Sequence, residues 1–310
     1  MTARWAALSV DVDEIPCYAA IHGLDAPTDH RAHAIWDRAI PRFRKLFAEE
    51  GIPATFFVVA RDVERQGNAD AARALGADGH EIGSHSLSHF YDLTRRDRAT
   101  LRTEIREATR RLEAAVGTRP RGFRAPGYTI TDTIFDELEA DGYAYDSSVF
   151  PCPAYYAAKV AAIGLHRLAG RTSRSIVDDP RVLGAPADPY RIGRPYHARG
   201  EGLVELPIGV TRDATLRLPY IGTSVVLSGT AGAKALTRAI VGRPLVNLEL
   251  HGMDLADATE DDLGFLAGVQ PDLRRTRTEK EAALRTAIGT LRDAGYRFVT
   301  LLDASRLLTP

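Results

Sequence analysis

The chain has 310 residues, of which 45% are hydrophobic and 26% are charged, a composition typical of globular proteins. Forty basic and 41 acidic residues leave a net charge of -1, which argues against overall electrostatic attraction to nucleic acid or an anionic membrane. The sequence has only two cysteines, no recognisable secretory leader and no apolar run of about 18 residues, so we expect a cytoplasmic protein without a disulfide framework or transmembrane segment.

Short apolar runs alternate with helical patterns along most of the chain. The patterns predict strands over residues 6–12, 54–60, 80–83, 122–124, 245–250 and 297–302. They predict helices over residues 34–50, 69–77, 97–116, 131–140 and 278–294. Such alternation indicates a parallel sheet with helices outside it, and seven or eight units favour a barrel over an open sheet.

Residues 151–230 interrupt this rhythm and contain eight of the 17 prolines. A helix over 154–168 and short strands over 203–206 and 208–211 are the elements that we predict there. We expect one domain over 1–310, with the 151–230 stretch as a long excursion that shapes a substrate pocket or an oligomer interface. Decoration of the barrel without a role in function is the alternative.

Two acidic residues stand at the end of the first predicted strand. Asp11 and Asp13 are two positions apart, so in an extended strand their side chains point the same way. Two neighbouring carboxylates repel each other unless a cation or another partner lies between them. The pair therefore predicts a cation or ion-pair site, with a solvated acidic turn as the alternative.

Two histidines follow the third predicted strand. His85 and His89 have the spacing that places side chains on one face of a helical turn, where neutral imidazoles suit a divalent metal. In the His-Glu-x-x-His motif of zinc metalloproteases, a catalytic glutamate directly follows the first histidine. Here that position is Ser86, so a catalytic base would have to come from elsewhere, and Asp11 and Asp13 are available. An incidental histidine pair is the alternative.

Two further strand ends carry residues suited to catalysis. Arg124 can pair with a carboxylate and lower its pKa, and the Pro126-Gly127 turn can aim backbone N–H groups into a cavity. His251 closes the strand over 245–250 and is suited to proton exchange near neutral pH. An exposed arginine in a strand-to-helix loop and a hydrogen-bonded core histidine are the alternatives. In a parallel barrel, however, all these strand ends lie on the face where active sites form.

The stretches SVDVDE, GSHSLSH, FRAPGY, YDSS and LELH occur in the order typical of one family. With them the chain resembles the polysaccharide deacetylase family, also called the NodB-homology family or carbohydrate esterase family 4. The resemblance implies a distorted (β/α)7 barrel with a loop and short-strand insertion. It also implies a divalent metal held by one Asp and two His, with zinc expected and cobalt, manganese or nickel as alternatives.

The resemblance also assigns roles to single residues. It implies a metal site and catalytic groups as follows: Asp13, His85 and His89 as metal ligands, Asp11 as base, Arg124 as its partner, the Tyr128 N–H as oxyanion donor, and His251 as general acid. Val12 separates the two acids, as in a subset that includes intracellular peptidoglycan-deacetylase-like, allantoinase-like and lipid-linked aminoarabinose-deformylase-like proteins. This spacing leaves open which Asp has which role. The tryptophan that commonly follows the fourth-motif Asp is absent, so Asp146 and Glu205 are both candidates for orienting His251.

The resemblance predicts a metal-dependent hydrolase that removes an N-acetyl or N-formyl group from an amino sugar. The substrate would be an N-acylated sugar, a glycoside or a lipid-linked sugar intermediate, and a homo-oligomer is an open prediction. An allantoinase-like enzyme that opens a cyclic amide is one alternative. A glycan- or metal-binding pseudoenzyme on the same barrel is the other.

Overall fold

The computed structural model describes residues 3–168, 174–213 and 215–308. Its strands are β1 (Trp5–Val12), β2 (Thr55–Val58), β3 (Glu81–Ser84), β4 (Gly122–Phe123), β5 (Tyr145–Asp146), β6 (Tyr190–Ile192), β7 (Arg199–Glu205), β8 (Leu245–His251) and β9 (Arg297–Phe298). Its α-helices are α1 (Ile15–Ile21), α2 (Ile40–Glu50), α3 (Gln66–Ala77), α4 (Arg98–Val116), α5 (Asp132–Ala140), α6 (Pro153–Leu168), α7 (Gly222–Leu227), α8 (Gly229–Ile240), α9 (Arg277–Asp293) and α10 (Leu301–Leu307). In these ranges no helix has both the length and the apolar character needed to cross a bilayer.

The strands form one curled sheet in the order β6-β7-β5-β4-β3-β2-β1-β8, and β9 also pairs with β1. Every pairing is parallel except that of β6 with β7. The predicted α/β class and barrel-type architecture are therefore confirmed. The path from β7 to β8 contains seven parallel strands among the described residues, with β6 and β8 at the ends of the whole path.

The register of the sheet brings the carboxyl ends of its strands to one level. Consecutive pairings align a row of residues: Val12, Val58, Ser84, Phe123, Asp146 and Glu205. The residues that follow β1, β3 and β4 are Asp13, His85 and Arg124, so all three leave the sheet at the same rim. On the other side of β1, Asp11 pairs with His251.

Large aromatic side chains fill the barrel interior below this rim. A Cβ atom on Gly122 would lie 2.1 Å from the Tyr145 ring, and one on Gly83 would lie 2.7 Å from the Phe57 ring. Glycine at these two positions gives the rings room to lie inside the sheet. The Tyr145 hydroxyl donates a hydrogen bond of 2.8 Å to Oε1 of the half-buried Glu81.

Several predicted helix ends agree with the structure. A π-helical turn, Ile35–Ala39, leads into α2, and the left-handed Gly51 (φ 62°) ends that helix as predicted. Gly117 (φ 81°) ends α4 in the same way. The side chain of Thr131 accepts the Ile134 N–H at 3.4 Å and so caps α5. These signals are local, which explains why the sequence reveals them.

Two predicted strands differ from the structure. The predicted strand over 297–302 ends at Phe298, because Thr300 caps α10 by accepting the Asp303 N–H at 3.1 Å. Residues 208–211 form only an isolated bridge between Val210 and Pro219. Helices α1, α7 and α8 lie in segments for which we predicted no element.

The 151–230 stretch contributes to both the sheet and its surroundings. It supplies α6, as predicted, and β7, which pairs with β5 and belongs to the main sheet. Residues 169–173 and 214 of this stretch lie outside the described residues. Its role in a substrate pocket or an oligomer interface stays a prediction.

Candidate active site

Three side chains converge at the end of β1. The Oδ1 atom of Asp13 lies 3.3 Å from Nε2 of His85 and 3.2 Å from Nε2 of His89. All three residues are buried. The Nδ1 atom of His85 lies 2.7 Å from the Arg124 carbonyl oxygen, an arrangement in which Nδ1–H donates and the Nε2 lone pair faces Asp13. The structure thus brings together the three residues predicted as metal ligands.

The donor set fits a divalent cation. Oδ1 of Asp13 and Nε2 of His89 are buried and have no hydrogen-bond partner, which is costly unless another group satisfies them. One ligand atom from each of the three residues lies within 4.8 Å of the others. One carboxylate and two imidazoles are ligands that zinc accepts, and a three-residue set leaves a position for water or substrate.

The electrostatics of the cluster reflect this closeness. Burial acts to raise the pKa of Asp13. The neighbouring His89 and His85 have the larger effect together and hold that pKa well below its usual value. Burial acts to lower the pKa of His89, but the negative charge of Asp13 outweighs this effect and raises the pKa of His89 to about 10. A proton on His89 and a divalent cation would therefore compete for the same carboxylate.

The loop that carries the two histidines is not the helical turn that their spacing predicts. Residues 85–89 contain no helix, and both Ser86 (φ 65°) and His89 (φ 55°) have left-handed backbone conformations. The Ser86 hydroxyl accepts the His89 N–H at 3.1 Å and closes the loop. The expected contact between the histidines is observed, but a strained loop produces it.

Asp11 is fixed by Arg124, as predicted. Nη1 of Arg124 donates to Oδ1 of Asp11 at 2.8 Å and to the Ser9 hydroxyl at 2.9 Å. Its Nε and Nη2 atoms donate to the carbonyl and hydroxyl oxygens of Ser147, both at 2.8 Å, and the side chain is fully buried over the Phe57 ring. The other oxygen of Asp11 has no hydrogen-bond partner and lies 3.9 Å from Nε2 of His85.

His251 reaches the same site from β8. Its Nε2 atom lies 4.0 Å from Oδ2 of Asp13, and its Nδ1 atom lies 2.9 Å from Oε1 of Glu249. Burial acts against the imidazolium, but Glu249 dominates and raises the pKa of His251 well above its ordinary value. The sequence analysis missed Glu249, although its position two residues before His251 places both side chains on one face of the strand.

Asp146 and Glu205, the two residues considered for orienting His251, instead hydrogen-bond to the turn that follows β5. They pair in register between β5 and β7, and both are buried. Asp146 accepts the N–H and the hydroxyl of Ser148 at 2.8 and 2.9 Å, and Glu205 accepts the Val149 N–H at 3.0 Å. They hold the turn after β5, whereas Glu249 contacts His251.

Tyr128 departs from its predicted role as a backbone donor. Its N–H donates to the Ala125 carbonyl oxygen at 3.1 Å, closing a tight turn that contains the left-handed Gly127 (φ 65°). That N–H is therefore engaged within the turn. The Tyr128 hydroxyl instead lies 3.4 Å from Nε2 of His251, so it is the phenol that faces the site.

The chain is similar in sequence to known deacetylases over part of its length. The family model for polysaccharide deacetylase matches residues 32–145, a region that contains His85, His89 and Arg124. The chain is 32% identical over 116 residues to a chitin deacetylase of Colletotrichum lindemuthianum, covering 31% of this chain and 46% of that protein. It is 26% identical over 148 residues to a peptidoglycan deacetylase of Helicobacter pylori, covering 46% and 48%. The chain thus spans about half the length of these relatives.

The likeness in fold extends over the whole chain. A crystal structure from Mycobacterium smegmatis, assigned to the polysaccharide deacetylases, superposes with a TM-score of 0.61 at 20% identity. The superposition covers 99% of this chain and 91% of the other. At this identity the likeness shows the fold alone. Residues 32–145 thus match the polysaccharide deacetylase family model, and the fold of the chain agrees with that match.

Proposed function

We propose that the protein is a metal-dependent hydrolase that removes an N-acyl group, acetyl in the first instance, from an amino sugar. The observation that carries this proposal is the convergence of Asp13, His85 and His89 beside two further groups, Asp11 and His251. A set of metal ligands, a base and an acid at one edge of the sheet are what metal-assisted amide hydrolysis requires.

Asp13, His85 and His89 would hold the cation, for which zinc is our first choice. When bound there, the ion would polarise the amide carbonyl and lower the pKa of water toward about 7. The contact from Nδ1 of His85 to the Arg124 carbonyl oxygen keeps that imidazole turned toward Asp13. Arg124 thus orients His85 through its backbone carbonyl group and Asp11 through its side chain.

Asp11 is the proposed base. Arg124 occupies one of its oxygens, while the other faces the ligand cluster without a hydrogen-bond partner. That free oxygen can accept a proton from the attacking water. The buried guanidinium fixes the orientation of the carboxylate and balances its charge.

His251 is the proposed acid. The Glu249 contact at Nδ1 favours the imidazolium and leaves the proton at Nε2 directed toward the rim. That proton can pass to the amine nitrogen as the C–N bond breaks, which makes the amine a good leaving group. The Tyr128 hydroxyl, rather than its N–H, is the donor that we propose beside the reacting carbonyl.

The substrate proposal draws on the relatives. The two named above act on chitin and peptidoglycan according to their names, and both polymers contain N-acetylated amino sugars. We therefore propose an N-acetylated sugar unit as substrate. An N-formyl group and a lipid-linked sugar stay within the proposal because the same residues would serve them.

A zinc-loaded preparation tests this function against N-acetyl and N-formyl amino sugars, with acetate or formate release followed by mass spectrometry. We expect release from at least one amino sugar, and a loss of about 10²- to 10⁴-fold in Asp11→Asn and in His251→Ala. Hydrolysis of cyclic amides alone, or no release from any sugar while the zinc stays bound, would overturn the proposal.

A further inference from the structure

A cavity of about 630 Å³ opens beside the candidate active site. His89 and Tyr91 form part of its inner wall. The cavity is also lined by a group of basic side chains that we call the arginine pocket: Arg61, Arg95, Arg96 and Arg174. All four arginines are exposed, so their guanidinium groups are accessible to a ligand.

The arginine pocket has more positive charge than its own acidic neighbours neutralise. Arg96 lies 2.9 Å from Oδ1 of Asp92, the one acidic residue in the cavity lining, and rests on the Phe90 ring. Across the described parts of the chain, Arg61, Arg95 and Arg174 have no carboxylate within ion-pair distance. The whole chain has a net charge of -1, so this excess is local.

The pocket and the ligand cluster share a side chain. His89 lines the cavity, and its Nε2 atom lies 3.2 Å from Oδ1 of Asp13. A ligand seated against His89 and Tyr91 therefore lies next to the proposed metal. Unpaired guanidinium groups in that position suit an anionic group on the molecule whose amide is cleaved.

We propose that the arginine pocket binds a phosphate group carried by the N-acyl amino sugar, an inference that rests on the proposed function and narrows its substrate class. Phosphate fits better than carboxylate because it can carry two negative charges and presents oxygens to several guanidinium groups at once. The exposure of these arginines also makes the binding sensitive to salt.

The first experiment measures binding without turnover. Isothermal titration of the zinc-loaded protein with inorganic phosphate compares the wild type with Arg61→Gln/Arg95→Gln. A matched control, Arg38→Gln/Arg238→Gln, removes two exposed arginines outside the cavity lining and gives the same change in net charge. We expect affinity to fall about tenfold or more in the pocket variant and to stay unchanged in the control. Equal affinity in all three proteins would overturn the proposal, because phosphate would then be bound by the metal. An equal fall in both variants would overturn it as well, because net charge would then account for the binding.

The second experiment measures specificity. The ratio of kcat/KM for N-acetylglucosamine 1-phosphate to that for N-acetylglucosamine should exceed one in the wild type, fall in the pocket variant and persist in the control. The ratio should also fall as salt is raised. A preference for the carboxylate-bearing N-acetylmuramic acid over the phosphorylated sugar would overturn the phosphate assignment.

The two experiments separate this inference from the proposed function. Phosphate binding that depends on the arginines, without hydrolysis of any sugar, would reject the function and retain the anion site. Hydrolysis of N-acetylglucosamine with no gain from phosphate would retain the function and reject the anion site.

Discussion

Nδ1 of His251 lies 2.9 Å from Oε1 of Glu249, a residue of the same strand that is fully buried. The two side chains lie on one face of β8 because they are two residues apart. Glu249 therefore sets both the orientation of the imidazole and the pKa at which it loses its proton.

Replacing Glu249 with Gln should move the pH profile of the reaction. The negative charge of Glu249 raises the pKa of His251, so its loss lowers that pKa. The imidazolium would be the active form of the proposed acid, so the basic limb of the kcat profile should shift to lower pH. The exposed Glu201→Gln serves as control, and an unchanged basic limb in Glu249→Gln would contradict this role.

His85→Ala and His89→Ala should each lose bound metal, because each removes one of the three proposed ligands. Elemental analysis after dialysis gives the metal content per chain, and the exposed His30→Ala provides the control. We expect close to one metal ion in the wild type and control, and much less in either variant. Full metal content in His85→Ala and His89→Ala would place the ion elsewhere.

Arg124→Gln should destabilise the fold by about 3–5 kcal/mol, because it leaves the Asp11 carboxylate buried without its partner. The double variant Asp11→Asn/Arg124→Gln removes both charges and should lose less than the sum of the two single variants. Urea unfolding measures all three. Additive losses would show that the Asp11–Arg124 contact at 2.8 Å contributes no coupling.

Glu205→Gln should alter the dependence of stability on pH. Burial, followed by the nearby Asp146 charge, raises the pKa of Glu205 well above its usual value. The folded state therefore holds this proton more tightly than the unfolded chain. Its contribution to stability is present below the unfolded pKa of about 4.3 and is lost as pH rises toward the folded value.

Glutamine keeps the acceptor for the Val149 N–H and cannot ionise. The variant should therefore match the wild type near pH 4 and equal or exceed it at pH 8, as measured by urea unfolding at both values. The exposed Glu201→Gln should show no such difference. A variant that is less stable than the wild type at pH 8 alone would contradict the assignment.

The features that the sequence predicts well are those with local causes. Gly51 and Gly117 end helices because glycine adopts the left-handed conformation at little cost. The residues at the ends of separate predicted strands could be assigned to one site, because the carboxyl ends of parallel strands lie at the same edge of a sheet. The apolar residues after Phe298 favour a strand up to residue 302. The strand is shorter because Thr300 caps a helix that begins at Leu301.

The features that the sequence did not reveal depend on contacts between distant elements. The turn at Ala125 uses the Tyr128 N–H, which no spacing rule indicates. Asp146 and Glu205 meet only through the pairing of β5 with β7. Glu249 is different, because strand alternation alone would have placed it beside His251.

The hydrogen bonds around Ser147 connect β8 with the residues that directly follow β4, β5 and β7. Its hydroxyl receives donors from Arg124 and Asn247 and itself donates to the Leu206 carbonyl oxygen. Since hydrogen bonds are directional while apolar contacts are not, this level of the barrel tolerates little rotation of one strand against another. A substitution at Ser147 would thus disturb the orientation of Asp11, the proposed base, without contacting it, and the proposed catalysis would depend on a hydroxyl that performs no chemistry.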